Sequence, residues 1–178
     1  MSLSLDKSPE AELLRFLARF AGVSTGSAAS GPVRVRLSKS SELRQPLTIA
    51  RFFCRQADRE AELLGADALE QARVAMWLDV AGALARDAKT AAGGREHWQL
   101  LKSALQHHTF VAAPRATLAD AALFWELRGA VAGFSPAQRE EFAAIVRWFD
   151  QLQHTVGVRG FRGLDVIALG PKQIALTV

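Results

Sequence analysis

The residue types best able to do chemistry in this chain are one cysteine, four histidines, a helix-opening serine and a Thr–Asp pair. Cys54 stands beside Phe52 and Phe53 in an apolar helical run, where a free thiol behaves as a small buried hydrophobe. His97, His107, His108 and His154 have no carboxylate or cysteine at metal-ligand spacing, so neither a metal site nor a cofactor is expected. On a helix, the neighbours His107 and His108 diverge by about 100° and form no two-point ligand. They read as a helix end, where a cation meets the negative end of the dipole. Ser8-Pro9-Glu10 is accounted for by an N-cap followed by a first-turn proline. No phosphate-binding loop, dinucleotide fingerprint or Gly-x-Ser-x-Gly elbow is present. Thr117-Leu118-Ala119-Asp120 has capping-box spacing. The Thr hydroxyl can accept from the N–H of residue 120, and the Asp carboxylate can reach back to the N–H of Thr117. These residue types point to structure and not to catalysis.

The elements that position them follow from periodicity and punctuation. Leu3-Ser4-Leu5 suits an edge strand. A helix from Pro9 buries Leu13, Leu14, Leu17 and Phe20 or Ala21 and stops at Gly22. Residues 23–31 are small and polar and read as a loop. After Pro32, Val33, Val35 and Leu37 alternate as a half-buried strand, and Glu42-Leu43-Arg44 is a short return strand. Pro46 to Gln56 is a helix with Leu47, Ile49, Ala50, Phe53 and Cys54 inward. Residues 58–66 form a polar connection punctuated by Gly65. Asp67 to Ala88 is a long helix whose Leu69, Arg73, Met76, Val80 and Leu84 recur on one side, with Trp77 adjoining. Ala91 to Gly94 is a break, and Arg95 to His107 a second helix through Trp98, Leu101 and Leu105. The capping box opens a third, closed by Gly133. Ser135-Pro136 opens a fourth, whose Phe142, Ile145, Phe149 and Leu152 form one stripe. The expected division is a small α/β lobe over 1–57, a linker over 58–66, a helical lobe over 67–163 and an apolar tail over 164–178.

Composition fits a soluble globular protein: 49% hydrophobic and 22% charged residues. No run approaches the roughly 18 apolar residues of a membrane span. The opening MSLSLDKS carries neither a signal nor a transit pattern. The cytosol is the expected compartment, without membrane insertion. The net charge of +4 raises the question of a nucleic-acid partner. The densest basic spot is Val33-Arg34-Val35-Arg36, read as a strand with one polar face.

The order of small α/β lobe, helical lobe and late capping box resembles the glutathione-transferase fold. Thr117 and Asp120 match that family's box. Pro32, just before a strand, is similar to its cis-proline. Three further segments resemble the non-catalytic transferase-like proteins of the multi-aminoacyl-tRNA-synthetase complex. Thr48-Ile49-Ala50 through Gln56-Ala57, Leu63-Leu64-Gly65 and Met76-Trp77-Leu78 form the first, and the Thr117–Asp120 box the second. The third is Arg147-Trp148-Phe149, then Gln153-His154 and Gly157-Val158-Arg159. Members include auxiliary tRNA-binding proteins, among them tRNA-import proteins of apicomplexan parasites.

The resemblance implies a truncated thioredoxin-like lobe followed by an all-α lobe. It also implies a scaffold that docks aminoacyl-tRNA synthetases or other transferase-like domains, forms a homodimer and catalyses nothing. Transfer RNA would be met indirectly or through a further C-terminal domain. Ser8, Pro32, Gln45 and Pro46 then mark a vestigial glutathione site. The chain has no tyrosine, and Pro46 replaces a residue that would offer both a hydroxyl and an N–H. The partner-binding residues are Arg147, Ala144, Gln151 and Glu140, read as one stripe, together with Trp148, whose reading stays open between anchor and core. The alternatives are a divergent glutathione transferase using Ser8, or the transferase-like domain of an elongation-factor gamma subunit.

Overall fold

The computed structural model describes residues 2–26, 28–87, 95–162 and 164–169. Three short strands, β1 (Ser2–Ser4), β2 (Arg34–Arg36) and β3 (Glu42–Leu43), form an antiparallel sheet in that order. Leu3 lies opposite Val35, and Val35 opposite Leu43. On the far edge of β1, Leu5 donates to Ala29 O and Ala29 donates to Leu3 O, both at 2.9 Å. This one parallel bridge, Ser4 to Ala29, stands where the loop reading of 23–31 expected no strand pairing.

Helix α1 (Pro9–Phe20) begins where Ser8 accepts from Ala11 N at 3.2 Å. It packs on α2 (Pro46–Gln56), and the two bury Leu14, Phe16, Leu17, Ile49, Phe53 and Cys54 around Val35. The expected connection over 58–66 contains a helical turn, α3 (Glu60–Leu63), because Leu63 and Leu64 are apolar and buried. Arg59 donates to Phe20 O at 2.9 Å and pairs with Glu62. From the helical lobe, Arg115 donates to Ala61 O at 2.7 Å and Glu62 O at 3.0 Å, and pairs with Glu70 at 2.6 Å. The junction is therefore stapled from both sides.

The helical lobe comprises α4 (Ala68–Asp87), α5 (Arg95–His107), α6 (Leu118–Ala132), α7 (Pro136–Glu141) and α8 (Ala143–Gln153). Helix α6 is central, packing against α1, α4 and α8. The side of α4 read from periodicity is divided: Leu84 is buried and Val80 packs against the core, but its N-terminal half turns outward. Val74, Trp77, Leu78 and Ala81 are buried, whereas Leu69 and Met76 are 60% and 46% exposed. Both sides carry apolar residues, so periodicity alone could not choose. The fourth helix is also divided: Phe142, with φ −106° and ψ 32°, interrupts it. Its ring packs on Phe134 and Trp98, with centroids 5.6 and 5.7 Å away. Residues 164–169 have no regular structure, but Gln153 clamps the backbone of Ile167 through both amide atoms, each at 3.0 Å. The expected break at 91–94 and residues 170–178 of the tail lie outside the described residues. Among those described, no helix is long and apolar enough to cross a membrane.

Candidate interaction surface

Ser8, Pro32, Gln45 and Pro46, read from the sequence as a vestigial glutathione site, lie around the starts of α1, β2 and α2. The Ser8 hydroxyl donates to Asp6 Oδ1 at 2.5 Å and accepts from Ala11 N, so its donor is held by Asp6 and one acceptor position by the helix N-terminus. Pro32 is exposed, and no described peptide bond is cis. This corrects the likeness to a cis-proline: Pro32 lies in the exposed approach to β2. Gln45 precedes α2 without a side-chain capping bond, and Pro46 occupies the first turn, where its ring offers neither N–H nor hydroxyl. Cys54 is fully buried, and burial pushes its thiol up to about 12. No described group of three His, Cys, Asp or Glu residues is placed to hold a metal ion.

The Thr117–Asp120 pair builds a buried polar knot. Asp120 Oδ2 accepts from Thr117 N at 2.9 Å and from the Thr117 hydroxyl at 2.7 Å. Oδ1 accepts from Val111 N at 3.0 Å and Trp148 Nε1 at 2.9 Å. Each N–H left unbonded in this dry setting would cost about 1–3 kcal/mol. Burial nevertheless outweighs these donors and raises the Asp120 carboxyl above the ordinary carboxylate value. Trp148 is 1% exposed. This removes it from the expected partner-binding set: its indole ties α8 to the start of α6.

The other expected contact residues are separated by the break at Phe142. Glu140 lies exposed on α7, while Ala144, Arg147 and Gln151 lie on α8. The four do not form one helical stripe. Ala144 is half-buried against the core. Arg147 is exposed, but its Nη2 donates to Leu105 O at 2.9 Å, capping the last turn of α5. Gln151 is exposed and continues from Arg147 along the same helix.

A second exposed surface, whose residues the sequence reading did not name as contacts, lies on the outer side of α4. Leu69, Met76 and, from α5, Leu100 (45% exposed) face solvent. Beside them Met76, Trp77, Leu100, His107, His108 and Phe110 help line a cavity of about 730 Å³. The available signal was Arg73 between Leu69 and Met76: a charged residue in the middle of an apolar stripe marks the outward side.

This architecture defines a glutathione-transferase-like fold. The GST-like domain of elongation factor 1-gamma from Saccharomyces cerevisiae aligns over 97% of this chain and 98% of that one, with TM-score 0.69 and 17% identity. A Gtt2-class glutathione S-transferase of Vibrio parahaemolyticus aligns with TM-score 0.69 and 18% identity, over 90% of this chain and 96% of that one. Sequence narrows the likeness. A family model described as nuclear-export cofactor Arc1p (Arc1p_N_like) matches residues 70–156. Eukaryotic translation elongation factor 1 epsilon-1 is 29% identical over 112 residues in both Mus musculus and Homo sapiens. That match spans 63% of this chain and 64% of the length of each relative.

Proposed function

We propose that the chain is a non-catalytic docking domain in the translation apparatus, working in the cytosol. It would join aminoacyl-tRNA synthetases or their auxiliary factors to one another through transferase-like domains, and would also pair with itself. The observation that carries the docking reading is the outward apolar side of α4, with Leu69 and Met76 exposed beside Leu100. Large apolar side chains exposed on one side of a helix suit an association surface. The translation context rests on the elongation-factor relatives. The occupied Ser8 hydroxyl and the Pro46 ring support the absence of transferase chemistry.

Two measurements test this. Light scattering of the purified chain is expected to give a dimer mass, and the doubly substituted Leu69→Glu, Met76→Glu protein a monomer mass with unchanged circular dichroism. Mass spectrometry of partners captured by the tagged chain is expected to find synthetases with transferase-like extensions. Elongation-factor subunits without synthetases would move the chain to the gamma-subunit setting. A capture free of translation proteins, with retention on immobilised glutathione and thiol transfer lost in Ser8→Ala, would replace the proposal with an enzyme.

A further inference from the structure

The two faces of the three-stranded sheet differ in chemistry. Leu3, Val35 and Leu43 align across the strands and join the core side. The residues of the other parity are Ser2, Ser4, Arg34, Arg36 and Glu42, with Arg44 following two positions after Glu42; Ser4 is buried, so the open part of this face is that of β2 and β3. Arg36 lies 3.8 Å from Glu42 with its side chain 51% exposed. Arg44 also pairs with Glu42, and its side chain is 74% exposed. At the hairpin tip Arg36, Ser38, Lys39, Ser40, Ser41 and Glu42 line a hollow of about 300 Å³. Residues 34–44 carry four cations and one carboxylate, which is three of the chain's four net positive charges. One carboxylate shared by two guanidiniums leaves that excess in place.

We infer that this open sheet face binds the phosphodiester backbone of RNA. Protein interfaces have an apolar centre, and this face has no apolar residue. It also has no aromatic ring, so it has nothing on which to stack a base. It does have guanidiniums on neighbouring strands, those of Arg36 and Arg44 both paired with Glu42. Alternate residues of a strand lie about 6.7 Å apart, and neighbouring strands about 4.8 Å. Planar guanidinium forks match phosphate oxygens. Contacts of this kind position the backbone and carry no sequence information.

The test is fluorescence anisotropy of a labelled single-stranded RNA of about 20 nucleotides titrated with the full chain, from about 50 to 300 mM salt. Three or four neutralised phosphates predict a log–log salt slope of about −2 to −3. Replacing Arg34, Arg36 and Arg44 together by Gln is expected to weaken binding at least about tenfold and flatten that slope. Glu42→Gln, which removes the opposing carboxylate, is expected to tighten binding about threefold. Arg86→Gln with Arg159→Gln, exposed positions elsewhere, is expected to change little. Absence of binding at the lowest salt overturns the inference, as does equal loss in the Arg86/Arg159 protein. Poly-glutamate binding as tight as RNA would assign the face to an acidic protein segment instead. Because Glu42→Gln is a gain, its failure to tighten binding overturns the proposal even if the triple variant misfolds.

Discussion

Asp120 shows how much one side chain can organise. It accepts from Val111, Thr117 and Trp148 in the dry centre of the helical lobe. Asp120→Ala is expected to lower unfolding free energy by about 3–5 kcal/mol, and Trp148→Phe by about 1–3 kcal/mol, by urea titration. The raised carboxyl also sets a pH dependence. Between its unfolded and folded values, the folded chain holds a proton that the unfolded chain has released. The Asp120 contribution therefore falls as pH rises through that window and is level above it. Glu62 behaves oppositely: Arg59 holds its carboxyl below the ordinary value, so its contribution is lost as pH falls. Urea midpoints in acid should show the Asp120 segment in the parent and not in Asp120→Asn. Cys54, with its thiol at about 12, should resist iodoacetamide at pH 8 until urea unfolds the chain; rapid native labelling would contradict its burial. The Thr117–Asp120 box was legible because three-residue spacing is a local matter. The Trp148 bond to Asp120 was not, since it joins residues 28 apart.

At the scale of elements, boundaries carrying their own signals were readable and faces were not. Proline and a capping residue announce α1, and Pro46 opens α2 where periodicity placed it. The α7–α8 break has no local breaker. Phe142 leaves the helix as its ring meets Phe134 and Trp98, a tertiary preference that overrides propensity. Gly65 was readable only as punctuation, and the structure adds the reason. Its φ is +116°, and a Cβ there would meet Gln71 N at 2.5 Å. Gly65→Ala is thus expected to cost about 1–3 kcal/mol, visible as a lower thermal midpoint. Arg147→Ala has two separable outcomes. Losing the bond to Leu105 O should cost about 1 kcal/mol of stability. Weaker association at a temperature where the variant is fully folded would show a docking role as well.

On the scale of the whole molecule, the order of lobes was legible because each has its own periodicity, and the outward surfaces were not. Whether Leu69 and Met76 face in or out depends on where α6 lies, and no local pattern in α4 records that. The polar parity of β2 was visible as Arg34 and Arg36. That Arg44 and Glu42 join them required the strand register.

Phe16 of the small lobe packs with Trp125 at 5.0 Å, Phe161 at 5.4 Å and Phe124 at 6.0 Å; Phe124 in turn stacks on Phe149 at 4.4 Å. One continuous aromatic seam therefore serves both lobes. Unfolding should be a single cooperative transition, with tryptophan fluorescence and helix circular dichroism superimposing in urea. Because that seam joins the lobes, the partner proposed for α4 would meet both lobes as one packed unit, its grip set by the shape already there.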